Sequence, residues 1–171
     1  SAKGLDVESG TGTANNVKVD AKEGLNLAVT ATSGDAYGIA ASGDKAQANI
    51  GKINNVEVAA TNGDAYGLLA AGGAKVSDDQ TSSAGSVTVT ENTAGKAAYG
   101  LAASGDKSAL NLGTVDSVTV RSAGRGYGLY VGKDSEISGA VGSIDVLDSQ
   151  DAYGIYAPEE SASANVIITG G

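Results

Sequence analysis

The chain has 171 residues, a formal net charge of −9 and 26 glycines against a single proline, and it contains no Cys, Met, Trp, Phe or His. Without Cys and His it cannot form disulfides, ordinary zinc sites, or Cys/His and Ser/His nucleophile systems. Its acidity serves solubility, repels phosphate backbones and so excludes nucleic acid as a partner, and disfavours anionic membrane surfaces; no apolar run approaches the ~18 residues of a membrane-spanning helix.

In chain order, residues 1–35 predict an irregular first unit. Gly4-Leu5 reads as an eroded form of a later Tyr-Gly-Leu element. Asn15-Asn16-Val17-Lys18-Val19 copies Asn54-Asn55-Val56-Glu57-Val58, while Leu25-Asn26-Leu27-Ala28-Val29 also fits a Val-x-Val slot, so two registers stay open here. From residue 37 the repeat is plain. Tyr-Gly-Ile/Leu recurs at Tyr37, Tyr66, Tyr99, Tyr127 and Tyr153, with spacings of 29, 33, 28 and 26 residues. A polar turn follows, as at Ser42-Gly43-Asp44-Lys45 and Ser104-Gly105-Asp106-Lys107; these residue types supply positive φ and side-chain to backbone bonds. Next comes Ile50-Gly51-Lys52-Ile53 or Leu112-Gly113-Thr114-Val115, and then Val56-Glu57-Val58, Val87-Thr88-Val89, Val118-Thr119-Val120 or Ile144-Asp145-Val146.

Three short strands per unit are too few for a propeller blade, and the strand spacing leaves no room for crossover helices. The remaining solution is a solenoid in which each unit winds once and stacks on its counterpart one coil below. The sequence therefore predicts an all-β parallel β-helix of about five to six coils, three short strands per coil, with residues 1–171 forming one repeat domain. No coil can stand alone, because burial of its few inward aliphatics does not offset the cost of ordering its backbone. The chain carries no visible signal segment at Ser1 and is expected to be a piece of a longer protein.

Strict alternation along the tyrosine strand places Tyr37 with Ile39 on one face and Ala36, Gly38 and Ala40 on the other. With the aliphatic residue inward, the expectation is an interior tyrosine ladder and a flat outer wall of Ala and Gly, unless a bulge intervenes. That wall reads Ala36, Ala65, Ala98, Gly126, Ala152; then Gly38, Gly67, Gly100, Gly128, Gly154; then Ala40, Leu69, Ala102, Tyr130, Tyr156. Two readings compete: glycine relieves crowding where the inner tyrosine turns, or the wall is a contact face for self-association or ligand stacking. The candidate contact residues are Leu69, Tyr130, Tyr156, Gly100, Gly128 and Gly154.

Other chemistry is thin. Asp78-Asp79 and Glu159-Glu160 are carboxylate pairs in polar segments and read as solvated loops rather than glycosidase acids. Asp35, Asp64, Asp44 and Asp106 offer one carboxylate each, which suits side-chain-stabilised turns better than a calcium site of six to eight oxygens. Arg125 should stack over Asp151 within ion-pair reach, and Thr88, Thr90 and Thr119 form a short outward patch interrupted by charges. No cofactor or metal is implied, and no catalytic residue is assigned.

The repeated Gly-Asp-Ala-Tyr-Gly-Ile/Leu element alternating with Gly-x-Ile/Val-x-x-Val-x-Val, over about residues 36–157, resembles the passenger domain of bacterial autotransporters. The resemblance implies an extracellular, Gram-negative cell-surface or secreted protein whose passenger is a right-handed β-helix exported through a C-terminal outer-membrane barrel. The serine protease module of some passengers has no counterpart here. The implied role is adhesion, autoaggregation or biofilm formation, with the chain itself or a host glycan or protein as partner; the alternatives are a structural stalk and a polysaccharide-active β-helix enzyme.

Overall fold

The computed structural model describes residues 1–9, 16–19, 24–78, 85–158 and 163–169. Every regular element among them is a strand. The first coil holds β1 (Ala2–Glu8), β2 (Asn16–Val19) and β3 (Leu25–Ala31); the second β4 (Ala36–Ser42), β5 (Gln47–Ile50) and β6 (Ile53–Ala60); the third β7 (Ala65–Ala71), β8 (Lys75–Ser77) and β9 (Ser86–Glu91). The fourth holds β10 (Ala97–Ser104) and β11 (Ala109–Ser122), the fifth β12 (Arg125–Val131) and β13 (Glu136–Leu147), and the last β14 (Asp151–Tyr156) and β15 (Ser163–Ile168). The result is a parallel β-solenoid of about five turns, as the repeat predicts.

One sheet runs β1-β4-β7-β10-β12-β14, all parallel, with Tyr37 over Tyr66, Tyr99, Tyr127 and Tyr153 in register. The other two walls join into one network, because β11 and β13 pass unbroken around the corner that separates β5 from β6. The Ile-Gly-x-Ile element marks this corner. Ile50 ends one strand and Ile53 opens the next, and the β11–β13 ladder shifts register between Asn111 and Thr114. Turn chemistry explains the opposite corner. Gly43 and Lys45 have φ of 95° and 81°, and Gly105 and Lys107 have 86° and 64°, the left-handed conformations that Gly-rich turns adopt at low cost.

The first coil resolves its ambiguity. Leu27 and Val29 pair with Val56 and Val58, so Leu25–Val29 fills the Val-x-Val slot. The copy at Val17-Lys18-Val19 instead pairs with Ala48-Asn49-Ile50 on the preceding wall. Local likeness misleads there because both walls want alternating aliphatics. Gly4-Leu5 is indeed the eroded Tyr-Gly-Leu strand: Lys3 stands in the tyrosine column and Leu5 pairs with Ile39.

The interior is a column of small and branched aliphatics. Ile39, Leu68, Leu101 and Leu129 face Val56, Val87 and Val118 and the Ile50, Val76, Leu110 and Ile137 wall, all essentially inaccessible. Among the described residues one carboxylate enters this core. Glu91 is buried, accepting from the Ser122 hydroxyl at 3.0 Å and from the Thr93 amide. It occupies the column that holds Ala60 one coil below.

The tyrosines are not in it. Ala36, Ile39 and Ala41 belong to the core, and Gly38 also points inward, since a Cβ there would lie 2.6 Å from Val56 Cγ1. Two successive residues, Gly38 and Ile39, thus face the interior. The ladder pairs Tyr37 with Tyr66 and Ile39 with Leu68 while skipping the glycine between them. This break in alternation, repeated in each coil, turns the preceding tyrosine outward. The expected interior phenol ladder is therefore corrected to an exterior one, and the expected outer wall of Ala36, Ala65 and Ala98 lies in the core. The glycine is there because the next coil needs the space. A Cβ on Gly67 would meet Val87 Cγ1 at 2.4 Å and the Gly100 carbonyl oxygen at 2.5 Å.

Candidate contact face

The outer surface of the tyrosine sheet carries two adjacent columns. The first is Lys3, Tyr37, Tyr66, Tyr99, Tyr127 and Tyr153; the second is Asp6, Ala40, Leu69, Ala102, Tyr130 and Tyr156. In the first column the rings stack face to face, with centroids 5.1, 4.7, 4.9 and 5.2 Å apart and planes within 9° of parallel. The coil rise of ~4.8 Å sets this spacing, so within the ladder Tyr66, Tyr99 and Tyr127 have both faces covered by their neighbours and turn only edge and phenol oxygen outward.

Tyr130 stands across this stack. It makes edge contacts with Tyr99 and Tyr127, both at 5.5 Å and at 85° and 79°. Because the ladder faces are already covered, it is ladder edges that meet the Tyr130 face, the favoured T-shaped arrangement. Tyr156 continues the surface one coil on, 5.9 Å from Tyr130 and 4.8 Å from Tyr153. All seven aromatic residues of the chain are thereby collected on one outward face.

Of the predicted contact residues, Leu69, Tyr130 and Tyr156 lie on this face and are partly exposed. Gly100 and Gly128 do not; they are buried and their missing side chains would enter the core against Val118 and Ile144. Gly154 shares their slot but is exposed in the last coil. Sequence reasoning missed that Tyr37, Tyr66, Tyr99, Tyr127 and Tyr153 point outward, although Tyr127 is buried beneath Tyr130 and Tyr156. The signal was the glycine after each one, which marks a bulge as readily as a strand position.

Beside the ladder runs a shallow groove with Ala40, Leu69 and Ala102 beneath and Ser42, Ala71 and Ser104 on its low far wall. One hollow, about 220 Å³, sits over Ala102 between Leu69 and Tyr130. Another, about 360 Å³, sits over Ala40 and is bordered by Lys3, Asp6, Glu8 and Asp35. Lys3 bridges Asp6 at 2.6 Å and Glu8 at 2.5 Å, which holds its ammonium charged and draws the Glu8 carboxyl below its ordinary range.

Two of the turn aspartates, Asp35 and Asp64, brace successive coils. Asp35 accepts the Asp64 amide at 2.9 Å and the Tyr37 phenol at 3.1 Å; Asp64 accepts the Ala97 amide at 2.9 Å. Asp78 accepts the Gly113 amide at 2.8 Å, while Asp79, Glu159 and Glu160 lie outside the described residues. No cluster of three metal-ligating side chains occurs among the described residues. Burial pushes the phenols of Tyr66 and Tyr99 up, helped by the charge of Asp64, and Tyr99 reaches about 12. At Tyr127 burial also raises the phenol, against the opposing pull of the Arg125 guanidinium. Arg125 stands in register with Asp151 as expected, but the expected ion pair does not form; the guanidinium lies instead against the Tyr127 phenol.

Comparison with protein-family models, curated proteins and solved structures finds no match to this chain.

Proposed function

We propose that the chain is a non-catalytic, extracellular cell-surface module, of the autotransporter-passenger kind, that acts in adhesion or self-association through its tyrosine face. One observation carries this reading: the chain places every aromatic residue it has on one outer surface and fills its hydrophobic core with aliphatic side chains. Buried aromatic area is the strongest single contribution a core can receive, and tyrosine is enriched where proteins meet partners. A sequence that withholds all seven rings from the interior gains from them on the surface.

The turn carboxylates support the non-catalytic part, since Asp35, Asp64 and Asp78 are occupied by backbone amides of the next coil. The stacked ladder favours a second reading, a rigid stalk in which ring on ring stiffens the solenoid. Sedimentation velocity over a concentration series separates the two. Self-association predicts a reversible shift to dimers that Tyr130→Ala with Tyr156→Ala abolishes. A chain that stays monomeric throughout, and binds no host glycan on an array, leaves the stalk.

A further inference from the structure

We propose that the groove beside the tyrosine ladder is a binding site for an elongated, planar aromatic molecule that carries a positive charge at one end. The chain supplies its own template for the contact. Tyr130 lies with its face on the edges of Tyr99 and Tyr127, 5.5 Å from each. One, two and three coils earlier the same column holds Ala102, Leu69 and Ala40. The edges of Tyr37, Tyr66 and Tyr99 there border open hollows. A flat ring laid along the column repeats the Tyr130 contact at each coil, edge to face, the arrangement the quadrupole of each phenol favours. Three coils span about 14 Å at the ~4.8 Å spacing of paired strands, so a rod of two or three linked rings matches the length of the column and reaches both hollows, which meet at Leu69.

Charge sets the polarity. Asp6, Glu8 and Asp35 border the hollow over Ala40, and Asp64 lies near the phenols of Tyr66 and Tyr99. Against these four carboxylates stands Lys3, which already bridges two of them. At the other end Arg125 lies against Tyr127. The positive end of the occupant therefore points toward Asp6 and Glu8, and its apolar end abuts Tyr130. A long neutral or anionic aromatic finds the same walls without that attraction.

Thioflavin T, a rod-shaped benzothiazolium, is the probe. It is titrated by fluorescence against the intact chain at a concentration where sedimentation shows monomer, so that the outcome does not depend on self-association. Saturable one-to-one binding is expected, weakening as salt screens the exposed carboxylates. Ala102→Lys and Ala40→Lys each fill a hollow with a cation and should weaken binding about tenfold or more, with far-UV circular dichroism confirming the fold. Thr88→Lys, on another wall, should leave binding unchanged. Quenching of the native tyrosine fluorescence by the dye reads the same site without any variant. Absence of saturable binding, or equal loss from Thr88→Lys, overturns the site. An uncharged benzothiazole of the same shape that binds equally well overturns the assigned charge.

Discussion

The tyrosine face and the face formed by β3, β6, β9 and the ends of β11 and β13 enclose the same interior, yet their outer surfaces behave differently. Inward, both repeat faithfully: Ile39, Leu68, Leu101 and Leu129 on one, Val56, Val87 and Val118 on the other. Outward, the second face changes residue at almost every coil, from Ala28 to Glu57, Thr88, Thr119 and Asp145. The first keeps tyrosine at Tyr37, Tyr66, Tyr99, Tyr127 and Tyr153. A close-packed core constrains only what points into it. An outward column that repeats must be held by something else, and ring on ring at the coil spacing is one such force. Recognition by a partner is another.

The comparison breaks most completely at the glycine column, which makes the outward tyrosine possible. Gly67→Val would press a branched side chain onto Val87 and the Gly100 carbonyl, where even a Cβ meets atoms at 2.4 and 2.5 Å. Overpacking alone costs about 1–3 kcal/mol, and neither the backbone carbonyl nor the stacked valine can withdraw. The expected loss is about 3 kcal/mol or more, read as a lower urea midpoint or an unfolded chain by circular dichroism. A Gly67→Val chain as stable as the parent would show that this inward slot does not require glycine.

A milder pair of changes weighs the two outer surfaces directly. Tyr66 stacks on Tyr37 and on Tyr99, and aromatic pairs contribute about 0.5–1.5 kcal/mol each beyond area burial. Tyr66→Ala should therefore cost about 1–3 kcal/mol in urea unfolding. Thr88→Ala, outward on the other face beside Glu57 and Thr119, should stay within about 0.5 kcal/mol. Equal and small losses at both positions would strip the ladder of its structural role and leave contact with a partner as its sole reason to repeat.

Most of the architecture was legible in the sequence, and the reason is collective stacking. Every equivalent residue reports the same environment five times, so strand number, coil count, corner glycines and the Val-x-Val wall emerge without long-range information. Leu69, Tyr130 and Tyr156 were placed on the correct side for the same reason, two alternations beyond Ile39 or its equivalent being unnecessary: each simply follows an inward aliphatic. The face of the preceding tyrosine was not legible. It depends on whether Gly38 and Ile39 take opposite sides or the same side, and a glycine has no side chain to declare which. Val17-Lys18-Val19 failed similarly, because two walls of one solenoid accept the same pattern. Glu91 was invisible for another reason: its column reads Ala31 and Ala60 before it, and only the coordinates reveal the Ser122 hydroxyl that receives the carboxylate.

The smallest expected effect concerns protons and keeps every ring in place. An unfolded tyrosine titrates near pH 10, while burial and the charge of Asp64 push folded Tyr99 up to about 12, with Tyr66 raised in the same direction. Below pH 10 the phenols are neutral in both states and their contribution is intact. Between pH 10 and about 12 the unfolded chain releases protons that folded Tyr99 retains, so stability falls with rising pH. Tyrosinate absorbance of the folded chain should lag that of the urea-unfolded chain through this window. Tyr99→Phe preserves the stacked ring but removes the proton, and should flatten part of the alkaline decline while leaving neutral-pH stability almost unchanged. Should the decline persist undiminished in Tyr99→Phe, the alkaline sensitivity belongs elsewhere, with the Lys3 bridge to Asp6 and Glu8 the next group to remove.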